Sequence, residues 1–293
     1  MNESSLAKKC RLADHVSRCV NVVLFFLVLL GVLGSAPARA TAQSEDQVTT
    51  ATDAKMLSQL DAPLLFVKRH SYQGIHIYDT FYKWPPGGGG IYVLENPSAP
   101  RTQWIIRPVI DATTPGTLGA GVYTHPEISW DGKRLLFCYK DEPQGCTKIY
   151  EIGVDGKGLR KVSDPSALVS CYNGRAEGMH DLAPSYLPSG NIVFLSTRPA
   201  GLVPCNNTGV AILHVMNADG SGVRQLCFDQ DLDLHPAVLP SGQVIYSRWD
   251  YSGTMHIYLR PLMVMNPDGT GQRAVYGSNS YWPNALYFPR GIP

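Results

Sequence analysis

Histidines and aspartates recur at matching places in this chain, just ahead of three prolines that align with one another. His125 and His235 each stand directly before such a proline, and Asp181 and Asp233 each stand three residues before one. His180 adjoins Asp181 and has no counterpart in the other repeats. Imidazoles and carboxylates that converge can hold a metal ion or a polar ligand, so these five residues are the candidate binding site.

The same side chains have a second interpretation, in which they hydrogen-bond turns and tie neighbouring repeats together. Equivalence from repeat to repeat favours this structural role, because a functional site usually breaks a repeat; His180 is the exception. The sequence contains no G-x-S-x-G, no H-E-x-x-H and no phosphate-binding loop. No catalytic residue is therefore assigned, and no metal ligand is fixed.

Two hairpin modules that recur in the same order must position these residues. The first starts with a proline and reaches a glycine turn six residues later, in residues 126–132, 184–190 and 236–242. The second contains an Asp-Gly turn, at residues 155–156, 219–220 and 268–269. Each turn is followed by a further apolar strand, as expected of antiparallel hairpins. Four strands repeated every 50–60 residues or so are typical of a propeller blade.

We therefore predict an all-β protein, a β-propeller of four-stranded antiparallel blades. The predicted blades are 61–122, 123–178, 179–232 and 233–280, with the start of the next in 281–293. In the first blade, strands are predicted at 64–67, 76–78, 91–94 and 104–106. A β-sandwich with similar hairpins is the alternative, but two modules recurring three times in one order favour the propeller. The ring is either truncated or closes with few blades or by association.

The N-terminus has the features of an export signal. Basic residues precede a short apolar run at 20–33, and Ala38-Arg39-Ala40 ends the small residues that follow. This pattern predicts a signal peptide at 1–40 and a leader at 41–60. The alternative is an uncleaved anchor, although the apolar run is shorter than the roughly 20 residues that span a bilayer. We expect a periplasmic or secreted protein with no stable membrane span after cleavage.

The net charge limits the possible binding partners, and the cysteines limit the possible disulfides. The chain carries a formal net charge of +1, which offers no field for nucleic acid. Disulfides are permitted outside the cytoplasm, and Cys138–Cys146 and Cys171–Cys205 are possible pairs. Cys227 would then be a small buried apolar residue. Sequence alone does not fix the pairing.

Several longer segments carry a resemblance to known families. Residues 184–190 and 216–226 resemble the WD40-like blades of the TolB type. Residues 64–69, 231–236, 265–269 and 276–284 resemble the family named for the middle domain of the hydrazine synthase alpha subunit. That resemblance implies a propeller beside the haem-bearing parts of a multi-haem oxidoreductase. The sequence has no C-x-x-C-H motif, so no cofactor is evident for this chain.

The main hypothesis is thus an exported binding or scaffolding propeller without a catalytic centre, which takes a protein partner or a small ligand. One alternative is the propeller part of a multidomain haem-dependent oxidoreductase whose redox centre lies outside this chain. A further alternative is a metal-dependent hydrolase that uses the histidines and aspartates at the channel mouth.

Overall fold

Antiparallel strands account for nearly all the regular structure in a computed structural model of the chain. It describes residues 57–69, 89–113, 116–142, 145–165, 170–172, 175–177, 179–203, 209–251, 259–277 and 285–291. The strands are β1 (Leu64–Lys68), β2 (Gly90–Leu94), β3 (Ile106–Asp111), β4 (Val122–Ile128), β5 (Arg134–Lys140), β6 (Lys148–Gly153), β7 (Arg160–Lys161), β8 (Ser170–Tyr172), β9 (Arg175–Glu177), β10 (Asp181–Tyr186), β11 (Ile192–Ser196), β12 (Ile212–Met216), β13 (Arg224–Gln225), β14 (Asp233–Val238), β15 (Val244–Arg248), β16 (Leu262–Met265) and β17 (Arg273–Tyr276).

The strands form four successive sheets in which each strand pairs with the next along the chain. The first sheet is β1-β2-β3, the second β4-β5-β6-β7, the third β10-β11-β12-β13 and the fourth β14-β15-β16-β17. Strands β8 and β9 form a separate hairpin. All pairings within these sheets are antiparallel. The prediction of a propeller made of antiparallel four-stranded blades is confirmed.

The first sheet departs from the sequence prediction in its outer strand. Strand β3 begins at Ile106 and not at Trp104, because residues 101–103 form a 3-10 turn. The Trp104 indole donates a hydrogen bond to the Ala99 carbonyl at 3.0 Å, which holds it in this turn. The strand predicted at 76–78 lies outside the described residues.

The core lies between the sheets. Three clusters of buried apolar side chains each join two neighbouring sheets. Ile91 of the first sheet and Phe137 of the second belong to one cluster, and Leu213 of the third and Tyr246 of the fourth belong to another. Burial of such side chains contributes about 1.5–3 kcal/mol each. The sheets are therefore held face to face, and β10, the first strand of the third sheet, lies beside the first strands β4 and β14 of its neighbours.

Of the two predicted cysteine pairs, Cys138–Cys146 is the one whose side chains are both described. Cys138 and Cys146 are free thiols, so the bridge between them is not formed. The Cys138 side chain is buried in the cluster between the second and third sheets, and its Sγ lies 3.7 Å from the Asp181 carbonyl oxygen. Cys138 thus belongs to the core, whereas Cys146 is half-buried. The predicted partners Cys171 and Cys205 have no described side chains, and Cys227 is buried.

None of the helices in the described part of the chain is long and apolar enough to cross a membrane. The predicted signal peptide and most of the leader lie outside the described residues.

Candidate functional site

The first strand of three sheets carries the same β-bulge. Pairing slips by one residue around His125 in β4, Ala183 in β10 and His235 in β14. These residues have φ angles of 50°, 46° and 50°. A non-glycine residue with positive φ is uncommon, and the position before a proline is restricted further. Three identical occurrences show that the bulge belongs to the repeat.

The bulges border a cavity of about 470 Å³ where the first strands meet. His125, Ala183 and His235 line it together with the prolines that follow them. Phe288 and Arg290 close another side. Phe288 has a φ of 50° and also precedes a proline, so residues 285–291 contain a fourth copy of the bulged position. Bulges commonly re-aim side chains, and here they present them to a shared space.

A carboxylate and a guanidinium meet at the rim of this cavity. Arg290 Nη2 lies 3.3 Å from Glu127 Oε2, and the Ser185 hydroxyl donates to Glu127 Oε1 at 3.1 Å. Burial raises the pKa of Glu127, although Arg290 and Ser185 oppose the rise. Glu127 thereby links β4 and β10 to the 285–291 segment.

The two cavity histidines are held neutral. Burial lowers the pKa of His125 to about 4, with Arg69 and Arg290 adding to the effect. Burial also lowers the pKa of His235 to about 3, helped by the neighbouring His125 and Arg290. The His235 ring lies 3.7 Å, centroid to centroid, from that of Phe288. Neutral imidazoles against an aromatic ring can hydrogen-bond a ligand without carrying charge themselves.

The predicted aspartates lie elsewhere, in internal ion pairs. Asp181 is fully buried and accepts hydrogen bonds from Arg198 Nη2 at 2.9 Å and from the Ser196 hydroxyl at 2.8 Å. Asp233 is equally buried, and Arg248 Nε lies 3.3 Å from its Oδ1. Both carboxylates therefore fasten a first strand to the second strand of the same sheet.

His180 ties two sheets together. It forms a parallel bridge with Thr147, next to β6 of the second sheet, and its Nδ1 lies 2.9 Å from the Thr147 hydroxyl. Both residues are buried. Of the five predicted site residues, only His125 and His235 line the cavity. The sequence analysis did not identify Glu127, Phe288 or Arg290 as site residues. One signal for Phe288 was available, because the proline that follows it continues the spacing of the three aligned prolines.

One group of potential metal ligands comes together in the described residues. Ligand atoms of Cys227, Asp229 and Asp233 lie within 4.8 Å of one another. The Arg248 guanidinium already occupies this group, with Nη2 at 2.6 Å from Asp229 Oδ2 and Nε at 3.3 Å from Asp233 Oδ1. Burial raises the pKa of the Cys227 thiol, which opposes the thiolate that a metal would need. The arrangement is that of a buried ion pair, not of a metal centre.

Comparisons with known proteins agree with the fold. No family model and no curated protein matches the chain. Among solved structures it is similar to a putative TolB from Agrobacterium tumefaciens (19% identity, TM-score 0.46), which covers 66% of this chain and 60% of that one. It is also similar to Kuenenia stuttgartiensis hydrazine synthase (17% identity, TM-score 0.53), over 76% of this chain and 33% of that one. The chain thus spans less than two thirds of either. The hydrazine synthase likeness, together with the repeated antiparallel sheets, assigns the chain a β-propeller fold.

Proposed function

We propose that this chain is an exported propeller that binds a small anionic molecule in the cavity between its first strands and has no catalytic centre of its own. The observation that carries the proposal is the convergence of the bulged positions of three sheets on one cavity of about 470 Å³. Pockets of this size, apolar with a few convergent polar groups, are typical of small-molecule sites. The predicted signal peptide supports a periplasmic or secreted location.

The charges around the cavity favour an anion. Arg69 and Arg290 line it, whereas Glu127 is the single acidic residue of the described lining. The fields of both arginines help to keep His125 neutral. A carboxylate on the ligand would compete with Glu127 for Arg290, while the neutral imidazoles would hydrogen-bond its polar groups.

Two other hypotheses are less well supported. The metal-dependent hydrolase would use Asp181 and Asp233 as ligands at the channel mouth, but Arg198 and Arg248 already pair with these carboxylates. A haem-dependent oxidoreductase rests on likeness to hydrazine synthase, and at 17% identity that likeness concerns the fold alone. The hypothesis that this chain is part of a haem-dependent oxidoreductase, with its redox centre outside this chain, therefore stays a prediction.

Calorimetric titration with acetate, succinate and citrate tests the proposal. We expect at least one of these carboxylates to bind and to raise Tm, by the linkage that adds about 2.7 kcal/mol at 100 times Kd. Arg290→Met should abolish binding, whereas Glu127→Gln should strengthen it because Arg290 is released. Arg134→Met is the matched control, since Arg134 also pairs with a carboxylate, at 3.4 Å from Glu151, but lies outside the cavity. Absence of binding by all three acids, or equal loss in both arginine variants, would refute the proposal.

A further inference from the structure

The lining of the cavity is charged in one part and apolar in another. Arg69, Glu127 and Arg290 form the part that we call the charged rim. Both arginines are exposed to solvent, and Glu127 is half-buried. A larger set has neither a charge nor a polar side-chain atom, and we call it the apolar wall: Val67, Pro126, Ala183, Pro184, Pro236 and Phe288. The cavity therefore offers two different surfaces to one ligand.

The apolar wall reaches the buried side of the cavity. Ala183, Pro184 and Pro236 are all buried, with Ala183 only 7% exposed. His235 lies among them and is also buried. Because burial lowers the pKa of His235 to about 3, its imidazole is neutral at pH 7. Among the described lining residues, the buried ones therefore present no charge to a ligand.

The repeated prolines make this side of the cavity poor in hydrogen-bond donors. Pro126, Pro184 and Pro236 each follow the bulged position of a first strand, and proline has no backbone N–H to donate. Ala183 adds no polar group. A second carboxylate of a ligand would lose its water here and gain few donors in exchange, which is costly for a charged group. The apolar wall therefore disfavours a ligand that is charged at both ends.

The charged rim matches a single negative charge. Arg69 and Arg290 outnumber Glu127, so the rim has one positive charge in excess when both cavity histidines are neutral. Both arginines lower the pKa of His125, which shows that their fields act at the same place. Hydrogen bonds between a guanidinium and a carboxylate are among the strong ones in proteins. One ligand carboxylate therefore suffices to complete the rim.

The cavity is larger than a carboxylate alone. Its volume of about 470 Å³ lies in the range of roughly 300–1,000 Å³ that is typical of sites for drug-sized organic molecules. Once a carboxylate occupies the charged rim, the apolar wall bounds the space that is left. Transfer of apolar surface from water into such a space is favourable. A hydrocarbon group attached to the carboxylate would therefore add to the affinity.

We propose that the ligand is an amphipathic monocarboxylate, whose carboxylate lies at the charged rim and whose hydrocarbon body lies against the apolar wall. This inference rests on the proposed function, because it specifies which class of anion the same cavity binds. Straight-chain and aromatic monocarboxylic acids belong to this class. Dicarboxylic and tricarboxylic acids do not, since their further charges would face the apolar wall.

Calorimetric titration of the full chain with acetate, butyrate and hexanoate tests the inference. Adipate is the matched ligand, because it is hexanoate with a second carboxylate at the far end. Affinity should increase about fourfold for each methylene group that becomes buried, as expected from about 0.8 kcal/mol per group. Hexanoate should therefore bind at least about tenfold more tightly than acetate, and also more tightly than adipate.

Phe288→Asn tests whether the hydrocarbon chain lies against the apolar wall. Phe288 is 62% exposed and has a positive φ, which asparagine tolerates, so the variant should fold. The increase in affinity from acetate to hexanoate should become smaller, because the wall loses its aromatic ring. Phe228→Asn is the matched control, since Phe228 is 82% exposed and lies outside the described lining. This control should keep the increase of the wild type.

The outcomes separate this inference from the proposed function. If acetate or adipate binds as tightly as hexanoate, the cavity takes anions without regard to a hydrocarbon body, and the inference is overturned while the proposed function stands. An unchanged increase with chain length in Phe288→Asn would also overturn the inference, because the chain would then lie elsewhere. Absence of binding by every acid would overturn the proposed function and the inference together.

Discussion

Gly220→Ala should destabilise the protein much more than Gly190→Ala, although both glycines have left-handed φ angles, of 89° and 86°. Either substitution places a Cβ at positive φ, which costs about 1–2 kcal/mol. A Cβ on Gly190 has no atom within 4 Å, whereas one on Gly220 lies well under 3.0 Å from the Val162 carbonyl oxygen of the second sheet. Moving that backbone is overpacking, which typically costs 1–3 kcal/mol. We therefore expect about 1 kcal/mol for Gly190→Ala and about 4 kcal/mol for Gly220→Ala.

Thermal unfolding separates these values. For a domain of this size, 1 kcal/mol shifts Tm by about 2–4 °C, so Gly190→Ala should lower Tm by a few degrees and Gly220→Ala by about 8–16 °C. Urea unfolding gives the same comparison as a free energy. Equal shifts in Tm for the two variants would refute the close approach of Gly220 in the third sheet to the Val162 carbonyl oxygen of the second sheet.

Three further outcomes follow from buried charges and thiols. At pH 7, Arg248→Met should lower the free energy of unfolding by about 3–5 kcal/mol, because it leaves buried carboxylates without a cation. In urea titrations, the double variant with Asp233→Asn should recover part of this loss. No recovery would contradict the ion pair between Arg248 and Asp233. The pKa of His235 is lowered to about 3, so only the unfolded chain takes up this proton as pH falls from 6.5 towards 3. Stability should decrease over that range by up to about 1.4 kcal/mol per pH unit, and His235→Asn should flatten the slope; an unchanged slope would argue against a buried neutral imidazole. Iodoacetamide in denaturant without reductant should label both Cys138 and Cys146, detected by peptide mass, whereas protection of both would restore the disulfide prediction.

The sheets could be predicted from the sequence because their turns are encoded locally. A polar-glycine turn between two apolar runs specifies a hairpin, and Gly190 adopts the left-handed φ that such a turn requires. Recurrence of two hairpins then specifies the blade. The start of β3 was predicted wrongly because the 3-10 turn at 101–103 depends on a contact of the Trp104 indole, which no local pattern reveals.

The site was predicted only in part because the bulge is not visible in the sequence. His235 and Asp233 are two residues apart, so in a regular strand they would point to the same face. The bulge at His235 breaks this alternation, turning the imidazole to the cavity and leaving Asp233 against Arg248 inside the sheet. Arg290 was missed because its partner, Glu127, is distant in sequence and is brought close only by the sheet arrangement.

The repeated bulge separates architecture from function, and Ala183 shows how. Ala183 has the same strained φ as His125 and His235 without offering any polar group, so the conformation belongs to the blade and not to the ligand. The residue type at each bulged position then determines the volume and polarity of the cavity, and the small Ala183 leaves part of the cavity open.

Ala183→His should therefore fold, because the same backbone accepts histidine in two other sheets, but it should fill the cavity. We expect near-wild-type unfolding together with loss of succinate and citrate binding in calorimetric titration. If the variant binds these acids with unchanged affinity, the acids bind outside the cavity. That result would refute the assignment of the site and leave the fold unaffected.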